Sequence, residues 1–431
     1  MRGITTVFLA VLIEGSVSLQ AAAQGGSIEV RGSSDDGHFK LLHSITVDGG
    51  ENLNDEARGI AVAEDGAVYV TGYVTVSGQG RNIWLGKYDR DLGYIDSVTV
   101  NGPANGDDEG YTIAFDESGF VYLIGYMTEP GQGHNIWLGK FSSDLVLLDD
   151  ITLNGSQNDS EDGYGILFDQ PSGNLYAAGY LREIDGGSNV WLGIFDTDLV
   201  VLNSITRNGP LTDDTDKARF MTWDAQRHLF VSGSMTQADT DYDIWIGKFD
   251  EDLSFIDEVI VAGPTADEDK GYGIVFDGTD TIFVTGTIIQ PGQSYDIWMA
   301  AYDTDLNSLG DLTINGPADG EDVAYGMTIG QDGSLYHAGV YTELEGGSNI
   351  WVARFDENIE LQSWTTIDGP ASGYDTGLFV AMAPDEKLYV SAIVSDPVRG
   401  FDIWVGCYDV STIFVDDFES GDTSAWSGVS P

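Results

Sequence analysis

The sequence predicts an all-β fold, a seven-bladed β-propeller of four-stranded antiparallel blades. Three observations carry this. One tryptophan motif recurs seven times at a nearly constant period, and each period holds four short strand-like runs. No stretch shows a helical apolar repeat between capping residues. Trp84, Trp137, Trp191, Trp245, Trp298, Trp351 and Trp404 stand roughly 53 residues apart, a period in the propeller range. Each follows Ile or Val, which follows Asn or Asp, as in Asn82-Ile83-Trp84 and Asp402-Ile403-Trp404. An aromatic residue comes four positions later in every copy, from Tyr88 to Tyr408.

The second copy shows how one repeat divides. Thr112–Phe115 reads as a first strand, and the turn Asp116-Glu117-Ser118-Gly119 leads to a second over Val121–Tyr126. A Gly-rich loop over Pro130–Gly133 opens a third strand, Ile136–Phe141. The corner Ser143-Asp144-Leu145 opens a fourth, Leu147–Leu153, which ends at Asn154-Gly155. A lone four-stranded sheet cannot bury two apolar faces, so blades stack face to face until a circle closes. The tryptophans alternate with residues such as Ile83 and Leu85 on opposite faces of the third strand, which suits packing between blades.

Ring closure is also legible. After Trp404 no usual fourth strand follows, whereas His43-Ser44-Ile45-Thr46-Val47-Asp48-Gly49 aligns with Asp96-Ser97-Val98-Thr99-Val100-Asn101-Gly102. An N-terminal strand is therefore expected to complete the last blade and remove a free edge. The propeller is expected over residues 39–410, after a signal peptide at 1–23 and a linker at 24–38. The signal reading rests on Arg2, the apolar run Ile4–Ile13 and the small residues Ala21-Ala22-Ala23. Residues 411–431 form a separate tail.

Composition excludes several function classes. The chain has 431 residues, with 71 acidic and 18 basic side chains and a net charge of −53, which rules out nucleic-acid binding by phosphate neutralisation. No later run is apolar enough for a spanning helix, so membrane insertion is not expected. The lone Cys407 excludes a disulfide framework.

Segments such as Gly163-Tyr164-Gly165-Ile166 followed by Gly173-Asn174-Leu175-Tyr176-Ala177-Ala178-Gly179 resemble the bacterial seven-bladed β-propeller (SBBP) repeat family. The resemblance covers about residues 39–410. It implies a secreted or surface-displayed bacterial propeller and carries over no catalytic residues. The fourth copy departs most, with Arg219-Phe220-Met221-Thr222-Trp223 where others have Tyr and Gly. The seventh has Leu378 and Phe379 there. The tail, which includes Phe418-Glu419-Ser420-Gly421-Asp422-Thr423, is similar to short endings on other exported bacterial proteins, where it would serve sorting or attachment. An extended terminus is the equal alternative.

One acidic column is filled in every repeat: Asp55, Asp108, Glu161, Asp216, Asp269, Asp322 and Asp375. Each lies on the loop entering an inner strand, so the seven carboxylates are expected around the channel mouth, crowded by Asp107, Glu109, Asp162, Glu268 and Glu321. Local turn bonding to backbone N–H groups is the expected role, under which Asn at position 108 would be tolerated. A bound Ca²⁺ is the alternative. Calcium-loop motifs fail: Asp303-Thr304-Asp305-Leu306-Asn307 has Ser308 where Gly is needed. Asp239-Thr240-Asp241-Tyr242-Asp243 runs straight into a strand. Lys87, Lys140, Lys248 and Arg354 share a third-strand column suited to local charge balance. No nucleophile elbow or His-Glu-x-x-His pair occurs, and the five histidines fall at different repeat positions.

With blades this alike, the expectation is an exported, non-catalytic propeller for surface display, adhesion or ligand binding through its acidic channel face. Its partner would be a surface ligand, glycan or protein. The alternatives are a polysaccharide lyase or hydrolase with a channel cation, and a structural acidic surface protein.

Overall fold

Each repeat folds as an antiparallel meander because its β-branched and aromatic runs are punctuated by Gly and Asp turns. The structure, a computed structural model, describes residues 29–32 and 39–410 apart from 158, 184–186, 212–214, 239–240, 319, 345–346 and 372. The expected signal segment and tail lie outside the described residues. Seven antiparallel sheets follow one another along the chain, which is the propeller that the repeats predict.

In the second blade the strands are Glu109–Phe115, Val121–Glu129, Gly133–Phe141 and Leu147–Leu153. The first three exceed the expected runs. The loop at Pro130 closes as a tight turn, Gln132 donating to the Glu129 carbonyl, so pairing reaches Glu129 and Gly133. Closure is as expected: Lys40–Val47 pairs with Gly400–Asp409, placing Thr46 opposite Trp404. The segment read as linker holds a further strand, Glu29–Gly32, paired with Leu361–Asp368. It makes blade six five-stranded. Four residues carry too little pattern to announce a strand, and an open sheet edge accepts almost any extended chain.

The core is a ring of seven interblade clusters. Trp137 of blade two packs with Ile83 and Leu85 of blade one, and Trp191 of blade three with Ile136 and Leu138. The same exchange recurs at every junction and ends where Trp84 meets Ile403 and Val405 of blade seven. In five of the seven blades glycine two residues after the tryptophan makes room for the indole, with Ala300 and Ala353 in the other two: a Cβ at Gly139 would lie 2.2 Å from the Trp137 ring.

Opposite the acidic loops, the third strand of blades one to six turns into the fourth through a repeated corner. Asp303 accepts N–H bonds from Asp305 and Asn307 at 3.0 and 2.8 Å, and Leu306 sits at φ 61° with its side chain buried. The sequence at 303–307 that mimics a calcium loop is one of these corners. Its oxygens are used by its own backbone.

Candidate functional site

The acidic column does not line the channel. All seven side chains are buried between blades, with exposures of 0–1%. Asp108 shows the pattern: its carboxylate accepts from Gly102 N at 2.5 Å and from Thr128 N at 2.7 Å, while its own N–H donates to the Arg81 carbonyl at 2.8 Å. Gly102 ends one blade, Arg81 starts that blade's third strand, and Thr128 ends the next blade's second strand. The acid is thus a staple across the blade junction, wider than the single turn expected from sequence. Asp55, Asp216, Asp269, Asp322 and Asp375 repeat it with their own glycines and second strands. Glu161, one methylene longer, faces Gly155 and Arg182. Burial raises these acids against the lowering effect of the backbone donors, to about 7 for Asp55 and Glu161 and about 6 for Asp108, Asp269, Asp322 and Asp375.

One junction gathers three carboxylates. Oxygens of Asp48, Asp55 and Asp402 lie within 4.8 Å of one another. Oxygens in such a set suit a hard cation. A cation already stands beside two of them: Arg399 is 2.7 Å from Asp402 and 3.3 Å from Asp48.

The mouth of the channel is built by the residues that follow the column. One position on, the series reads Glu56, Glu109, Asp162, Lys217, Lys270, Val323 and Thr376. Three positions on, it reads Arg58, Tyr111, Tyr164, Arg219, Tyr272, Tyr325 and Leu378. The second series forms a chain of contacts around the opening. Arg58 lies 5.7 Å from the Tyr111 ring, Tyr111 meets Tyr164 edge to face at 5.0 Å, and Arg219 sits 5.1 Å from Tyr164 and 4.7 Å from Tyr272. Tyr272 then meets Tyr325 at 4.8 Å.

The acids at the mouth are neutralised locally. Glu109 binds Arg81 and, at 3.2 Å, Arg58, which also holds Glu56 at 2.9 Å. Asp162 accepts from the Tyr164 and Tyr180 hydroxyls, each at 3.0 Å, and stands 3.6 Å from His134. The Asp162 carboxylate beside it raises the His134 pKa, and His134 stacks on Tyr126 at 4.0 Å. Glu268 is held 2.5 Å from Lys270. Lys217 lies 4.9 Å from the Tyr180 ring, and burial, with Arg219 nearby, pulls its pKa down to about 8.

One residue deeper, the series is Gly59, Thr112, Gly165, Phe220, Gly273, Gly326 and Phe379. Blades four and seven are not neighbours, yet Phe220 and Phe379 meet edge to face at 5.2 Å. The two rings therefore bridge the channel and floor the mouth. Around them the channel encloses about 170 Å³. A larger cleft of about 640 Å³ lies at the corner face between blades five and six, where Asp277, Asp280 and Glu357 bring acids and no cation. The mouth, with its paired acids, cations and tyrosines, is the better candidate.

The seven predicted acids surround this cup from behind and do not enter it. Glu109, Asp162 and Glu268 do reach it. The cup's other residues were missed because the repeats were read for what they share. The signal that marks them is the reverse: positions where an otherwise uniform array changes from Glu and Asp to Lys, and from Tyr and Gly to Arg219-Phe220 and Leu378-Phe379. At the mouth the blades are not alike.

No family model matches the chain, and no curated protein matches it. Among solved structures, a protein of unknown function from Bacteroides caccae is similar with TM-score 0.44 and 11% identity, covering 69% of this chain and 94% of that one. A subtype N11 neuraminidase-like protein of A/flat-faced bat/Peru/033/2010 (H18N11) has TM-score 0.40 and 11% identity, covering 78% of this chain and 95% of that one.

Proposed function

We propose that the protein is an exported, non-catalytic propeller that binds a ligand in the cup at its channel mouth. The observation that carries this is the cup itself: a ring of tyrosines and arginines above a phenylalanine floor, built where the repeats diverge. A chain with only 18 basic residues gathers Arg58, Arg81, Lys217, Arg219 and Lys270 there. Packing alone requires no such asymmetry, because the other junctions close with apolar clusters. The acidic exterior keeps a displayed protein soluble. The resemblance to the SBBP repeats and the N-terminal signal pattern support export from a bacterial cell. Among the described residues the one triad of carboxylates has Arg399 beside two of its members, so this reading invokes no metal.

The test is binding of the intact protein to an immobilised panel of glycans and peptides. Tyr111→Ala and Tyr272→Ala should weaken capture at least tenfold while Asn358→Ala, on the corner face, leaves it unchanged. Capture that survives both tyrosine changes overturns the reading. A lyase or hydrolase is favoured by one observation, the placement of Lys217 4.9 Å from the ring of Tyr180, whose hydroxyl donates to Asp162. Release of unsaturated or reducing ends from a polysaccharide would establish that reading instead.

A further inference from the structure

We propose that the ligand of this cup is an acidic saccharide whose carboxylate is held between Lys217 and Arg219. This deepens the binding reading above and rests on it. Most lysines and arginines of the chain stand within ion-pair distance of a carboxylate, including Arg58, Arg81 and Lys270 at the same mouth. Among the described residues, Lys217 and Arg219 at the mouth do not; Lys40 and Lys87, which also lack one, lie away from it, Lys87 donating to the Ser143 carbonyl. Arg219 Nε is buried with no hydrogen-bond partner. In a protein of net charge −53, surrounded by potential partners, two adjacent half-buried cations left without a carboxylate are a costly arrangement. A ligand that brings its own negative charge resolves it.

The geometry selects the kind of anion. Tyr164 and Tyr272 lie on either side of the Arg219 guanidinium, at 5.1 and 4.7 Å. Contacts with rings satisfy none of the group's N–H donors, so its N–H fork is left for a ligand. A carboxylate matches that fork with two parallel bonds, and Lys217 adds a point charge beside it. The remaining wall includes Tyr111, Tyr325, whose ring meets that of Tyr272, and the part-exposed Tyr374. Sugar rings offer the complementary surface, C–H faces with hydroxyl edges. Anions of high charge density are disfavoured by the long-range field of the protein, so one carboxylate per sugar fits better than clustered phosphates.

The experiment is titration of the full chain with a galacturonate oligomer and with its fully methyl-esterified form, which has no charge but the same rings. The acid oligomer should bind and the ester should bind at least tenfold more weakly. Arg219→Gln and Lys217→Gln should each weaken the acid oligomer at least tenfold and leave the ester unchanged. Melting temperature is followed in parallel. If Arg219→Gln fails to fold, Lys217→Gln and Arg219→Lys carry the test, the latter keeping the charge but losing the fork. Equal binding of acid and ester, or binding indifferent to both substitutions, overturns the anion assignment and leaves the cup standing as a neutral binding site. Failure of both oligomers to bind, while the panel still shows tyrosine-dependent capture of another ligand, also overturns it. Failure of every panel member removes the binding reading as well.

Discussion

At the scale of the residue, the seven buried acids show how a side chain can do more than its local turn requires. Asp108 uses both oxygens, one for Gly102 and one for Thr128, and these donors belong to different blades. Asn, tolerable at a simple turn, would present an N–H₂ group to one of these N–H donors. Asp108→Asn is therefore expected to lower the melting temperature clearly, and Asp108→Ala to cost about 1–3 kcal/mol for each N–H left unsatisfied. Denaturant unfolding of the three proteins checks this, and an Asn variant as stable as wild type would restrict the acid to its own turn. The tryptophan glycines are similarly constrained. Gly139→Val must push against the Trp137 ring and should cost on the order of 1–3 kcal/mol as overpacking. A variant with unchanged melting would mean that the indole can move aside.

At the scale of the element, two N-terminal strands make different demands. Lys40–Val47 completes blade seven, and its own Ile45 and Val47 reach the cluster that joins blades seven and one. Glu29–Gly32 adds a fifth strand outside a blade already complete. A chain starting at residue 33 should melt close to the full-length protein. One starting at residue 48 should lose the single cooperative transition, because the ring opens at an unpaired edge. Thermal scans by circular dichroism distinguish them. Equal melting of the two truncations would mean that Gly400–Asp409 tolerates a free edge. The corners need no such long-range partner: Asp250, Asp303 and Asp356 each bond the amides two and four residues on.

At the scale of the molecule, burial of the acidic column ties stability to pH. Asp and Glu in the unfolded chain titrate near pH 4. In the folded chain six acids of the column, Asp55, Asp108, Glu161, Asp269, Asp322 and Asp375, are raised to about 6 to 7, so between these values the folded state holds more protons. The stabilisation is complete below the unfolded value and is lost as pH rises through the folded one. Acids shifted the other way, such as Asp169 beside Arg227 and Asp396 beside Arg399, lose their contribution as pH falls below the ordinary carboxylate range. The melting temperature should therefore peak near pH 5 and be lower at pH 8. Repulsion within a chain of charge −53 acts in the same direction, and added salt separates it, because salt screens surface charge and leaves the buried column little affected. A pH profile that rises from 5 to 8 at high salt would contradict the buried-acid account.

What the amino-acid sequence determined by itself was everything that repeats: seven blades, four strands each, closure by a strand from the N-terminal side, and a tryptophan in every third strand. A pattern repeated seven times is legible because each copy answers the same packing demand, and the period of that demand is written along the chain. What only the tertiary structure decided was direction and convergence. Asp108 and Arg58 are both charged residues on the same kind of inner-strand entry. The fold buries the first between blades and sets the second at the mouth. Phe220 and Phe379 are far apart in sequence and meet only because the ring brings opposite blades together. Lys217 and Arg219 look like two more cations balancing many acids until the structure shows which carboxylates already have partners. Convergence across a closed ring depends on distances between copies, and no spacing within one copy contains it.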